Sequence, residues 1–203
     1  MKIIETRQAP NPRRVRIFLA EKGIEIEYEE ISIMSGDQRS EAFSAINPMQ
    51  RVPVLVLDDG TTIAETVAIC RYFEELQPDP VLMGEGALGK ATVEMWQRRM
   101  ENDLFWTVGS YFRHTHPRAI VLEDPQVAQW GDINKGRAMD FLKILDAHLA
   151  DKPFVAGDTF SISDITGLCA IDFMKPAQLE LPAEHTNVAR WYGELAARPS
   201  AQA

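Results

Sequence analysis

NPMQRVPVLVLDDGTTIAETVAICRY, residues 47–72, is the stretch whose reading decides the fold. It reads as a tight turn, a strand, an Asp59-Gly60 hairpin turn, a second short strand and then a helix. Pro53 has no N–H to give a strand ladder, so Val52-Pro53 marks the mouth or edge of the first strand. Only about 5–6% of X-Pro bonds in folded proteins are cis, so spacing alone favours a trans bond here.

Working back toward the N-terminus, residues 2–6 form a short strand containing Ile3 and Ile4, followed by the loop Arg7-Gln8-Ala9-Pro10-Asn11. A helix is expected over 12–22, with Asn11 as its cap, Pro12 in its first position and Gly23 as its stop. Val15, Phe18 and Leu19 recur at i, i+3 and i+4 and give that helix one buried face. Ile24, Ile26, Tyr28 and Ile31 are interleaved with Glu25, Glu27 and Glu29, the pattern of a half-buried strand over 24–33. Residues 35–45 read as a short polar helix or an irregular turn. The order strand, helix, strand, helix, strand, strand, helix resembles the thioredoxin-like order and closes near Gln77, giving an α/β domain over 1–78.

Toward the C-terminus, two prolines and two glycines between Gln77 and Gly86 separate long periodic segments, so 79–86 reads as a linker. Beyond it the pattern is helical only, with helices over 87–114, 126–150, 161–173 and 187–197, an all-α domain over 87–203. The first of these carries Val93, Trp96, Met100, Leu104 and Val108 at spacings of three or four. Ser161-Ile162-Ser163-Asp164 reads as an N-capping motif, with Phe160 and Ile165 placed as a hydrophobic staple.

The composition is that of an ordinary globular chain, 45% hydrophobic and 25% charged. A net charge of −9 points away from nucleic acid and anionic membrane surfaces, both of which need basic stripes. Residues 1–80 hold nine Lys/Arg against fourteen Asp/Glu and residues 81–203 hold twelve against sixteen, so neither half is a basic arm. An anionic ligand therefore needs a local basic pocket. Cys70 and Cys169 make no metal or redox spacing, which suits a reducing cytoplasm. No apolar leader opens the sequence and no run approaches a membrane span. His114 and His116 are two apart, wrong for a shared helix face, and no metal is assigned.

Redox chemistry on this type of domain needs a cysteine at the tip of the first helix, where the dipole lowers its pKa. Ala9-Pro10-Asn11-Pro12 stands there instead, so a sulfur nucleophile has to arrive with a cofactor, for which glutathione is the natural candidate. Ionising a thiol of pKa ~8.5 at neutral pH takes roughly two units, about 2.7 kcal/mol. A helix N-terminus supplies ~0.3–2 kcal/mol, and one hydrogen bond to the charged sulfur can supply the rest. Asn11 is the side chain placed to donate it; the same residue also serves simply as a cap.

Asn47-Pro48-Met49-Gln50-Arg51-Val52-Pro53 followed by Glu65-Thr66 resembles the glutathione-binding signature of the soluble, cytosolic-type bacterial glutathione S-transferases, in which the Val-Pro bond is cis. The Ser161–Asp164 cap is similar to a folding motif of that family's helical domain, so the resemblance covers both domains. It implies a thioredoxin-like N-terminal domain, an all-helical C-terminal domain and glutathione as co-substrate. It further implies a cytoplasmic homodimer with a detoxifying role, packed through the helix after Glu65 and the 87–114 helix. Serine-type members carry the thiol-activating hydroxyl where this chain has Ala9. Nu-type members carry a threonine there, with an asparagine matching Asn11. Ala9 departs from both, which leaves Asn11 with the amides of Arg13 and Arg14.

The resemblance assigns backbone contacts with the cysteinyl unit of glutathione to Val52 beside Pro53. It assigns the γ-glutamyl carboxylate and ammonium to Thr66 and Glu65, a pair that suits a helix dipole in any case. The glycine carboxylate falls to Arg51, Gln38 and Arg39, of which the last two equally suit a solvated helix face. The acceptor pocket is expected between the domains, with Ala9, Pro10, Trp106 and Phe112 lining it, although aromatics at helical spacing are commonly core. The expected reaction is conjugation of the glutathione thiolate to a small, electrophilic, largely apolar substrate. Glutathione-dependent disulfide or peroxide reduction, or non-catalytic binding on the same fold, are the alternatives.

Overall fold

In the computed structural model, which describes all residues from Met1 to Ala203, strands β1 (Lys2–Glu5), β2 (Glu27–Glu30), β3 (Val54–Val56) and β4 (Thr62–Ala64) form one sheet in the order β2-β1-β3-β4. β1 runs parallel to β2 and antiparallel to β3, and β3 is antiparallel to β4. The sheet, with helices α1 (Pro10–Glu21), α2 (Glu41–Ile46) and α3 (Thr66–Leu76), belongs to a unit of Met1–Pro80 with Gln202–Ala203; Val81–Ala201 form a second, helical unit.

Alternation along the strands distributes the first core. Ile4 and Val54 pack on Phe43 of α2. Ile3 and Leu55 point to the opposite face and are fully buried, as are Val15 and Phe18 of α1 and Ile69 of α3, with Phe73 nearly so. The hairpin forms at Asp59-Gly60 as its residues dictate: Gly60 takes φ +86° and Asp59 Oδ1 accepts the Thr61 N–H at 2.9 Å. β2 is shorter than the alternation of 24–33 suggests, and all four of its residues are exposed. It is an edge strand with a single neighbour, so its glutamates stay in water and keep the edge from pairing further. Lys22 closes the unit: its ammonium donates to the carbonyls of Gln77 at 2.7 Å and Pro80 at 2.8 Å and pairs with the Glu74 carboxylate.

In the second unit the long first helix is α4 (Gly86–Arg99) and α5 (Trp106–Thr115) joined by a π-helical segment, Met100–Phe105. A stripe spaced by four drifts by about 40° per step on an α-helix, and the wider π turn takes that drift back. Val93, Trp96, Met100, Leu104 and Val108 consequently all remain buried. The Thr107 hydroxyl donates to the Asp103 and Leu104 carbonyls at 2.7 and 2.8 Å, covering acceptors the wide turn displaces. α6 (Ala128–His148), α7 (Ile162–Met174) and α8 (Thr186–Ala196) complete the unit. Every residue of α7 from Ile162 to Ile171 is buried, as expected of a central helix. Gly167 is needed there because a Cβ would meet the Trp191 ring at 2.5 Å.

The capping box read at Ser161 is formed. Asp164, fully buried, accepts from Ser161 N at 3.0 Å, Ser161 Oγ at 3.1 Å, Val155 N at 3.0 Å and Trp191 Nε1 at 2.9 Å. Burial nevertheless raises its carboxyl to about 6, against four donors that favour the carboxylate.

Candidate functional site

The strand registers gather distant stretches at one end of the sheet. Ile4 lies opposite Val54 and Val54 opposite Ala64, so the exit of β1 into α1, the entry to β3 at Val52-Pro53 and the exit of β4 into Glu65-Thr66 are neighbours. β2 is parallel to β1 and leaves toward Gln38 and Arg39 at this same end, with Glu30 beside Glu5. Asn11, Val52, Pro53, Glu65 and Thr66 thus share one sheet end though they span more than fifty residues.

The start of α1 differs from the expectation in a way that matters chemically. Ala9, in extended conformation (φ −77°, ψ 139°), is the N-cap; Pro10 holds the first helical position, and Asn11 lies one residue inside the helix instead of capping it. A proline's fixed φ suits that first position, so the helix begins two residues earlier than expected. A helix start ordinarily leaves four N–H groups without helical partners. Here Ala9 N–H bonds the Thr6 carbonyl at 2.9 Å, and Pro10 and Pro12 have none to offer. Only the Asn11 N–H remains. The Arg13 amide is held by the Ala9 carbonyl at 3.3 Å and that of Arg14 lies within the helical ladder, so neither supplies the expected donor. The Asn11 Oδ1 accepts from Arg14 Nη1 at 3.1 Å.

The loop leading into this helix is fastened from behind. Buried Arg16 donates Nη1 to Glu5 Oε2 at 2.5 Å and Nη2 to the Arg7 carbonyl at 2.6 Å. The sequence suggested a role for the Arg14 amide but none for the guanidinium of Arg14 or Arg16, although basic residues interleaved with Val15, Ile17 and Phe18 on a mostly buried helix are a signal for inward-facing charge.

Val52-Pro53 is a cis bond, and Val52, half-buried, stands just outside the β3 ladder. The turn before it is held by Asn47, whose Nδ2 donates to the Arg51 carbonyl at 2.8 Å and whose Oδ1 accepts the Met49 N–H at 3.1 Å. Glu65 caps α3 at φ +71°, a region that costs a non-glycine residue about 1–3 kcal/mol and is concentrated at functional sites. Its exposed side chain makes no cap bond, while Thr66 behind it is buried. The first-turn N–H groups of α3 and the Thr66 hydroxyl make an anion-binding helix start with a carboxylate beside it. Gln38 is buried with Oε1 lacking a protein partner; Arg39 and Arg51 are exposed.

In the helical unit, Phe112 stacks on His116 at 4.9 Å and packs on Phe173 at 5.2 Å, whereas Trp106 is 54% exposed. Six residues apart on α5, these two face different sides. Two cavities of about 390 and 410 Å³ flank the segment Ile24–Glu27 in the first unit and hold none of the gathered residues. The second is lined in part by Arg7 and Arg16, but neither cavity reaches the Val52-Pro53 turn or the start of α3, so the candidate site rests on the donor groups at the sheet end.

Comparison with known proteins bears on this arrangement. The sequence model of "Glutathione S-transferase, N-terminal domain" matches residues 9–76 and that of "Glutathione S-transferase, C-terminal domain" matches 107–199. The chain is 36% identical over 203 residues to "Glutathione S-transferase 2" of Saccharomyces cerevisiae, covering 98% of this chain and 87% of that protein. The crystal structure of a glutathione S-transferase domain-containing protein of Marinobacter aquaeolei superposes with a TM-score of 0.95 at 38% identity, covering 98% of this chain and 99% of that one. A maleylacetoacetate isomerase of Rattus norvegicus is 44% identical over 84 residues, 40% of this chain and 38% of that protein.

Proposed function

The chain belongs to the glutathione S-transferase family, an enzyme family that uses glutathione, and we propose how its sheet end holds that tripeptide and readies the thiol. The observation that carries the reading is the strained Glu65-Thr66 helix start set by register beside cis Val52-Pro53. The γ-glutamyl carboxylate sits on the α3 N–H groups and the Thr66 hydroxyl, and its ammonium pairs with the Glu65 carboxylate. Val52 offers its N–H and C=O to the cysteinyl unit as an added strand would. Arg51 and Arg39 take the glycine carboxylate. Gln38, with an unpartnered buried Oε1, suits the glycyl N–H.

From these anchors the thiol reaches the start of α1, where Asn11 presents one N–H and its carboxamide. Two donors to a thiolate at a helix N-terminus supply about the 2.7 kcal/mol that ionisation at neutral pH requires. The thiolate then attacks a small, electrophilic, largely apolar acceptor approaching past Ala9 and Pro10.

Calorimetric titration with glutathione tests the anchor. Glu65→Ala should weaken binding about tenfold or more, the value of one charge-assisted contact; an unchanged affinity refutes it. Assays with a chloronitrobenzene, a small disulfide and a hydroperoxide then separate conjugation from thiol-dependent reduction. Turnover of none of them, with glutathione still bound, supports a binding protein.

A further inference from the structure

We propose that Arg14 is a positioning residue that fixes the direction of the Asn11 carboxamide and so makes Asn11 an obligate donor toward the thiol; this rests on the thiol-binding reading above. A guanidinium carries only donors. With Arg14 Nη1 at 3.1 Å, the Asn11 atom facing it is the oxygen, and the planar amide turns its NH2 the other way. The reversed amide would set one donor against another. Arg14 is 2% exposed and has further interactions of its own, so it is an anchored partner. The three-residue spacing on α1 puts both side chains on one face.

The consequence is specific to this helix start. Ala9 offers no hydroxyl, two prolines offer no amide and the Arg13 N–H is taken, so within Ala9–Pro12 the carboxamide of Asn11 is the one side-chain donor. An unconstrained asparagine can present either its NH2 or its oxygen to an incoming sulfur, and the oxygen would repel a thiolate. Arg14 removes the second orientation. It acts through Asn11, not on the sulfur.

The test reads the pKa of bound glutathione from thiolate absorbance against pH in the full-length parent, Asn11→Ala, Arg14→Met and the double variant. Both single variants should raise that pKa by about one unit, and the double variant no further than Asn11→Ala alone. Arg14→Gln, which keeps a donor without the charge, should stay close to the parent. If Asn11→Ala leaves the pKa unmoved, the thiol reading itself fails and the inference falls with it. A shift in Asn11→Ala with none in Arg14→Met preserves the reading and overturns the positioning role. A shift from Arg14→Met that adds in full to that of Asn11→Ala overturns it too, because Arg14 would then act by its own charge. Since Arg14 is buried and its variants can fail to fold, a second measurement uses the isotope-labelled parent. A through-hydrogen-bond coupling from the Arg14 guanidinium to the Asn11 side-chain carbonyl carbon is expected, and its absence overturns the inference.

Discussion

Replacing Asp164 by alanine should come close to unfolding the helical unit. The side chain is fully buried and accepts from two backbone N–H groups, the Ser161 hydroxyl and the Trp191 indole. Alanine leaves three N–H donors stranded at about 1–3 kcal/mol each. Partial relaxation and lost additivity bring the sum to roughly 4 kcal/mol, against a typical domain stability of about 5–15 kcal/mol. Asparagine keeps one oxygen for Val155 and Trp191 but turns an amide toward the Ser161 N–H, so it should cost about half as much.

The pH dependence has a defined sign. Burial raises the folded carboxyl to about 6, above its unfolded value near 3.9, so the folded state binds the proton more readily. This stabilisation is fully present below pH ~4 and lost as pH rises through about 6, a span worth roughly 3 kcal/mol. All four tryptophans, Trp96, Trp106, Trp130 and Trp191, lie in Val81–Ala201, so indole fluorescence during urea unfolding reports this unit. Asp164→Asn should lack the component of the slope between pH 4 and 6 that the parent shows. A parent and Asn variant with parallel pH profiles, or an Ala variant within 1 kcal/mol of the parent, would refute the reasoning.

Glu5→Ala leaves the Arg16 guanidinium buried without its carboxylate and should destabilise the first unit by about 3–5 kcal/mol, with Glu5→Ala/Arg16→Met recovering much of it; chemical denaturation followed by backbone circular dichroism decides. Ala9→Ser should stabilise α1 by about 1 kcal/mol as a true N-cap. Its oxygen has only the Asn11 N–H to accept, since Pro12 has none, and so competes with the sulfur for that donor; the gain in stability should come without a lower bound-thiol pKa, and a lowered pKa read from thiolate absorbance refutes this. We further propose a homodimer through α3 and α4, where Leu76, Leu88 and Met95 are 58%, 82% and 42% exposed. Sedimentation should give roughly twice 22.9 kDa, and a monomer mass at micromolar concentration refutes it.

The sequence by itself determined whatever is carried by neighbours a few residues apart. Turn residues at Asp59-Gly60, apolar periods along α1 and the 93–108 stripe, and the Ser161–Asp164 spacing each specify local geometry. The element order, and with it the mixed α/β arrangement followed by helices, was legible for that reason. Tertiary structure alone decided which polar groups have partners, because a donor's satisfaction depends on acceptors far away in the chain. Whether the Ala9 N–H is free depends on the Thr6 carbonyl, and whether Arg14 faces solvent or Asn11 depends on what buries it. The edge position of β2 left Tyr28 exposed along with the glutamates, where alternation suggested one buried face. Most of all, the registers Ile4–Val54 and Val54–Ala64 placed Asn11 near Pro53 and Glu65, a proximity that no local signal encodes.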